Sequence, residues 1–400
     1  MTLRVSTTMF AAVMTAAGTG AISTIQLFGD GIQTVLEKIL KTTGGKAAIF
    51  KPGKILLGHI YKGSQTIDQV VIGCEGPNTI AINCHGNPLI VADIMKLLTE
   101  NGVTPITTDQ MLTRIFTAEG CENTIELEAK LAQPHAKTIE GTKLVLNQIE
   151  TGLAKTAKQW LQSLDSKTIK HIHAKAGQIL DKSKIAKLII YGCKVIIAGP
   201  ANTGKSTLLN TLAGRQKAIV TDIRGTTRDW ISAQCNIGSL AIELFDTAGL
   251  DAGLAAPAEN TIDAMARQTT LELLDDAHLV LLVLDNSQSC AQLDKAVVNT
   301  LAGKKVLTVL NKCDLPGQFN TAELPENLKT TVEISAKFGT DIDRLCTAIG
   351  SITRTADFDL RQPVCITARQ TALLTRLKTA KTKNQMLSVI TDLLNAAPPL

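Results

Sequence analysis

Aromatic residues are scarce in this 400-residue chain: two Trp, two Tyr and eight Phe, 3% in all. Its cores must therefore be aliphatic, which an apolar content of 44% allows. Paired cysteines are missing as well. The nine present (Cys74, Cys84, Cys121, Cys193, Cys235, Cys290, Cys313, Cys346 and Cys365) are odd in number, scattered, and nowhere spaced as CxxC. Six histidines offer one close pair, His171 and His173, with no cysteine near it. That pattern argues against structural zinc and a disulfide framework, and for reduced, buried thiols in a cytoplasmic protein. No apolar run is long enough to span a membrane. The apolar patch 9–17 behind Arg4 is short and threonine-rich, so it reads as folded chain rather than an export signal. A strong charge of one sign is also absent. Lys and Arg number 41 against 36 Asp and Glu, and the resulting +5 permits an RNA partner without demanding one. There is neither an internal repeat nor a low-complexity segment.

What is there divides into two or three domains by length alone. Residues 1–105 read as mixed α and β. Strands are expected over 21–28, 69–73 and 80–85, the last stopped by Gly86-Asn87-Pro88; a helix over 89–99 closes at Asn101-Gly102. Over 106–190 Pro and Gly thin out and Lys, Glu, Gln, Ala and Leu take over, predicting helices such as 142–164 and 166–187. Their lysine spacing reads as a solvated face or, more sharply, as a tRNA-binding one. Over 191–355 strand and helix alternate. The expected strands are 194–198, 231–236, 241–245, 279–284, 306–310 and 331–334, forming an open, mostly parallel sheet with helices on both faces. Residues 356–400 hold one or two more helices, 367–382 and 384–395.

The chemistry centres on 199–207, Gly-Pro-Ala-Asn-Thr-Gly-Lys-Ser-Thr. An apolar strand precedes it and a helical stretch follows, the order a phosphate cradle needs. Gly199 and Gly204 let the backbone bend round a polyphosphate. The amides from Asn202 and Thr203 to Thr207 then face the anion at a helix N-terminus. Lys205 can reach the outer phosphates, and the Ser206 hydroxyl can join a magnesium shell.

Four further stretches follow in the order of a guanine-nucleotide switch. Thr226-Thr227 lie between the loop's helix and the next strand, where a threonine hydroxyl can complete the metal shell. Asp246-Thr247-Ala248-Gly249 follow a strand; the carboxylate can hold magnesium through water, and the Gly249 amide can sense a γ-phosphate. Asn311-Lys312-Cys313-Asp314 end another strand. Asn311 and Asp314 offer acceptors that favour guanine over adenine, and the Lys312 stem can lie over the base. Ser335-Ala336-Lys337 can close over the base. ATP is the competing nucleotide, and the Asn-Lys-x-Asp pattern argues against it. No Gln follows the Asp-x-x-Gly; Leu250 and Asp251 stand there instead. The group that positions water is then Glu259, Asp251 or Asp263.

In these motifs the chain resembles the MnmE (TrmE) family of tRNA-modification GTPases. Asn202 stands inside the loop as in that family. Thr221-Asp222-Ile223-Arg224-Gly225-Thr226-Thr227-Arg228-Asp229 looks like its switch I, and Asp246 to Leu250 matches its switch II. Cys84-His85-Gly86-Asn87-Pro88 looks like its N-terminal His-Gly-Gly-Pro. The resemblance implies an α/β P-loop GTPase domain (191–355) inserted in an α-helical domain (106–190 and a short 356–400), behind an N-terminal α+β domain (1–105) of the folate-binding, dimer-forming type. It implies binding of GTP or GDP; magnesium on Ser206 and Thr227; potassium on Asn202, Thr221, Ile223 and Thr226; catalysis by Lys205 and, with one residue inserted in switch II, Glu259. It implies G-domain dimerisation, and action on tRNA wobble uridine with an MnmG-like flavoprotein. Gln26 and Ala81 stand where the family's folate contacts are Arg and Glu, its Lys contact falls near Thr124, and the family's C-terminal Cys-Ile-Gly-Lys does not occur in the chain. The alternative is a divergent regulatory or ribosome-assembly GTPase without the modification chemistry.

Overall fold

Residues 79–85, Thr-Ile-Ala-Ile-Asn-Cys-His, send Ile80, Ile82 and Cys84 into one core, and the strand ends where Asn87 begins a helix. The Asn87 side chain accepts from the Leu89 N–H at 2.9 Å, and Pro88 fills a position whose N–H would have no partner. The computed structural model describes residues 8–16, 18–45, 47–164, 169–215, 231–246 and 272–395. They form two units, one reaching to Leu131 and one running from Ala132.

The first unit holds a seven-stranded sheet. Its strands are β1 (Met9–Val13), β2 (Ile22–Phe28), β3 (Leu40–Thr42), β4 (Ile55–Lys62), β5 (Gln65–Cys74), β6 (Thr79–His85) and β7 (Val103–Pro105), in the spatial order β3-β4-β5-β6-β2-β1-β7. All neighbours are antiparallel except β1 and β7. Helices α1 (Ile32–Ile39) and α2 (Pro88–Glu100) bury Val35, Leu36, Ile94 and Leu98 against Ile25, Leu27, Ile72 and Ile82. The apolar patch near the start of the chain is β1, paired on both sides. Helices α3 (Thr108–Glu119) and α4 (Thr124–Ala132) follow.

The second unit opens with α5 (Ile139–Glu150), α6 (Leu153–Ser163) and α7 (Ile169–Tyr191). The single helix expected over 142–164 is thus two. The break lies at Thr151-Gly152, where the buried Gln148 side chain bends back to accept from the Leu153 N–H at 3.0 Å. The same Oε1 accepts from the Val364 N–H at 2.9 Å, and Nε2 donates to the Gln362 carbonyl at 3.1 Å. Ser183 accepts from the Cys365 N–H at 2.7 Å, and the Tyr191 hydroxyl donates to the Ile366 carbonyl at 2.9 Å. These bonds seat the returning chain beside the outgoing one. The helices Ala368–Thr379 and Lys383–Asn395 then pack on α6 and α7, so the intervening 193–353 is an insertion in a helical bundle.

That insertion is a six-stranded sheet of β8 (Cys193–Ala198), β9 (Ile231–Ile237), β10 (Leu240–Asp246), β11 (Leu279–Asp285), β12 (Val306–Asn311) and β13 (Thr331–Glu333), ordered β13-β12-β11-β8-β10-β9. Every pairing is parallel except β9 with β10. β11 reads as an unbroken apolar run because both its faces are covered. Leu281 and Val283 join a core with Leu208, Leu212, Leu345 and Ile349, while Val280, Leu282 and Leu284 join another with Val297, Leu301 and Leu328. This is the α/β P-loop domain the sequence implies, in a helical frame, behind an N-terminal α+β unit. Among the described residues, no helix is long and apolar enough to cross a membrane.

Candidate active site

Parallel strands place their carboxyl ends on one edge of the sheet, and ligands of open α/β sheets bind there. At that edge β8 runs into the glycine loop, β10 ends in Asp246, β11 in Asp285 and β12 in Asn311. The loop needs its glycines for two different contacts. Gly199 has φ 139°, and a Cβ on it would fall 2.0 Å from the Val283 carbonyl oxygen. Gly204 has φ 93°, and its Cβ would fall 2.3 Å from Asn311 Nδ2. Neither position admits a side chain.

After Gly204 the helix α8 (Lys205–Arg215) starts, so its first N–H groups open onto the loop. Lys205 is 9% exposed; its Nζ curls over the loop and donates to the Pro200 carbonyl at 2.8 Å and to that of Gly199. An ammonium held over the loop's concavity is where terminal phosphates would lie. Thr203 is buried and donates to the Pro200 carbonyl at 2.9 Å, while Thr207 is exposed on the first turn of α8. Asn202 takes the left-handed conformation, φ 62°.

Ser206 Oγ donates to Asp246 Oδ2 at 2.6 Å. The other carboxylate oxygen, Oδ1, is buried with no hydrogen-bond partner among the described residues. A buried orphan carboxylate oxygen beside a hydroxyl suits a hard divalent cation, so Ser206 and Asp246 fit magnesium.

Asn311 joins three loops. Its Nδ2 donates to the Thr203 carbonyl at 2.7 Å, and its Oδ1 accepts from the Ala336 N–H at 2.9 Å. The residue read from sequence as a base contact thus also braces the phosphate loop against 335–337. Thr211 adds a second tie, donating to the Ala336 carbonyl at 2.9 Å. Asp314 is exposed, with Oδ1 accepting from the buried Ser335 hydroxyl at 2.6 Å, which fixes the carboxylate plane. Lys312, φ 64°, donates to the Asn202 carbonyl and to Asp285 Oδ2, both at 2.7 Å. Lys337 is exposed, with Nζ 5.2 Å from the Phe338 ring centre.

Asp285 belongs to this group and the motif reading missed it. It is 2% exposed. Burial alone would raise its carboxyl pKa, but the Lys312 ammonium and the Ser287 hydroxyl and N–H outweigh burial and hold it below the usual carboxylate range. Its only sequence signal is its place: an acid ending an apolar strand, as Asp246 does. Two thiols of the sheet, Cys193 and Cys235, are pushed by burial up to about 12, so they are unreactive.

Thr221 to Thr227, Thr247 to Gly249, and Glu259 with Asp251 and Asp263 lie outside the described residues. In the first unit, Gln26 is buried and donates to Glu75 Oε2 at 3.0 Å. Ala81 faces it across the ladder, and Thr124 opens α4. These residues do not supply the charged groups that the resemblance assigns to a folate site, and they do not fit that ligand.

Residues 194–312 match a family described as 50S ribosome-binding GTPase, and residues 9–119 match one described as the GTP-binding protein TrmE N-terminus. The chain is 30% identical over 370 residues to the tRNA modification GTPase MnmE of Ligilactobacillus salivarius, covering 83% of this chain and 78% of that protein. It is 30% identical over 384 residues to that of Endomicrobium trichonymphae, covering 86% and 81%. Among solved structures it is similar to the G domain of the T. maritima FeoB iron transporter, at 26% identity over 40% of this chain and 98% of that one, with a TM-score of 0.31.

Proposed function

Since the chain belongs to the family of the tRNA modification GTPases MnmE and is a GTP-hydrolysing enzyme, we propose that it couples GTP turnover to modification of the tRNA wobble uridine, as a homodimer acting with an MnmG-like flavoprotein. The observation that supports this reading is the pairing of parts. One chain carries a phosphate loop braced by Asn311, set inside a helical bundle, and a TrmE-type N-terminal unit. Neither part alone would point to tRNA.

Within the site, the amides of 202–207 and Lys205 bind the phosphates. Ser206 and Thr227, with Asp246 through water, would hold magnesium, which would supply positive charge against the phosphates. Asn202 with Thr221, Ile223 and Thr226 would hold potassium, and Glu259 would orient water. Asp314 reads the guanine edge. The domain limits we assign are 1–105, 106–190, 191–355 and 356–400.

The test is to delete the gene and measure modified wobble uridine in total tRNA. Loss of the modification, restored by the wild-type gene, is the expected result. Unchanged modification contradicts the reading and favours a regulatory or assembly GTPase, which the Gln26–Glu75 bond and the neutral Ala81 support, since neither suits a one-carbon carrier.

A further inference from the structure

The positive charge of this protein is not spread over it. Residues 151–191 carry eight lysines against two aspartates, and 361–395 carry six basic residues against one aspartate. Those two stretches thus hold a net excess of eleven, while the whole chain carries +5, so everything else is net acidic. Both stretches belong to one bundle, because the helix Ala368–Thr379 packs on α7.

The helix geometry then gathers the charges. On α7 the positions 170, 174, 177, 181 and 184 form one row and 171, 175, 178 and 182 the next. Together they make the half of the helix away from the buried Ile172, Ala176, Ile179 and Ser183. Lys170 and Lys184 lie in the first row, and Lys175 and Lys182 in the second. Lys378 comes from the neighbouring helix and lies over Gly177; its Cε is 3.7 Å from where a Cβ would be. The seam is fixed beside it by His173 Nε2, 2.9 Å from the Ala380 carbonyl oxygen. Lys170 to Lys184 spans roughly 21 Å at the helical rise.

Ion pairing does not use these lysines up. Lys184 pairs with Asp181 at 3.1 Å, both about four-fifths exposed, and such a pair is worth little. Lys170, Lys175, Lys182 and Lys378 form no ion pair with another described residue. Between them stand Ala174, Gly177, Gln178 and Thr375. Among the described residues, none of the exposed large apolar side chains is on α7 or on Ala368–Thr379. A basic face without apolar anchors suits a phosphate backbone better than a lipid surface.

We propose that α7 and the helix Ala368–Thr379 form the surface on which the ribose-phosphate backbone of tRNA docks. The proposal rests on the tRNA reading above and adds its place. The contacts are phosphate contacts, so they position the RNA and do not read its bases.

The test uses the full chain and a variant with Lys170→Ala, Lys182→Ala and Lys378→Ala together. Binding to fluorescein-labelled tRNA transcript is followed by anisotropy across a potassium chloride series. The variant is expected to bind at least tenfold more weakly, with a salt slope shallower by about two to three, at roughly 0.7–0.9 for each of three lost phosphate contacts. The corresponding Lys→Arg triple should keep both, and GTP turnover without RNA should match wild type in all three. Wild-type affinity and slope in the Ala variant overturn the docking surface. If that variant also restores wobble modification in the deletion strain, the modification reading stands while the surface falls. Failure of the wild-type protein to bind tRNA, or tighter binding to phosphatidylglycerol vesicles than to tRNA, overturns the proposal as well.

Discussion

Asn311 reaches the Thr203 carbonyl oxygen with its Nδ2 at 2.7 Å, across 108 residues of chain. The other end of the same amide accepts from Ala336, so one side chain ties the phosphate loop to 335–337. Phosphate binding and the base recognition we propose would therefore share a support.

That support is crowded on the Gly204 side, where a Cβ would meet Asn311 Nδ2 at 2.3 Å. Gly204→Ala must also hold φ 93°, a strain of about 1–3 kcal/mol. We expect GDP affinity to fall roughly tenfold to a hundredfold, read by fluorescence with a labelled GDP. Unchanged affinity would mean that the loop does not rest on Asn311 when nucleotide is bound.

Asp314 is the residue to which we assign the purine choice. Ser335 holds one of its oxygens, and a carboxylate so fixed accepts from the guanine N1–H and N2 amino group. Asp314→Asn places an amide donor against donors. GTP affinity should drop by about ten- to a hundredfold, on the scale of a lost charged hydrogen bond, while xanthosine triphosphate binding improves. Competition titration decides it, and an unaltered GTP preference counts against Asp314 as the reader.

Asp285 makes a pH prediction. Its folded pKa lies below the ordinary carboxylate value, so its pairing with Lys312 stabilises the fold above about pH 4 and is lost as pH falls through the folded value. Asp285→Asn should lower Tm at pH 7.5, and its deficit should shrink toward pH 3.5. A deficit of the same size at both pH values contradicts the ion-pair account.

Potassium is the next assignment open to measurement. Asn202 is exposed in the loop and takes a left-handed backbone position. Replacing potassium by sodium at equal ionic strength should slow GTP hydrolysis at least tenfold in wild type and much less in Asn202→Ala. Equal wild-type rates in both salts remove this role from Asn202.

Much of the site was legible because its strands are largely apolar and either run straight into the glycine loop, as Cys193–Ala198 does, or end in a polar residue, as Leu240–Asp246 and Val306–Asn311 do. Asp285 ends its strand in the same way, but no neighbouring motif marks it, and its partner Lys312 is 27 residues on. Bracing by Asn311 was illegible for the same reason. A tetrapeptide shows which groups can meet a ligand and not which distant carbonyl already holds them. The helix break at Thr151-Gly152 depends on Gln148 meeting Val364, 216 residues away, while helical periodicity runs on through both halves. The loss of charge at Gln26 and Ala81 was legible in the sequence, and the register of β2 with β6 adds that the two are ladder neighbours.

Most directly, the account stands on Lys205 and the amides at the start of α8 gripping the phosphates. Calorimetric titration of GDP with magnesium into wild-type protein and Lys205→Ala measures that grip. The account predicts saturable one-site binding in the wild type and at least a hundredfold loss in the variant with its fold intact by circular dichroism. Equal affinities in the two proteins would contradict it.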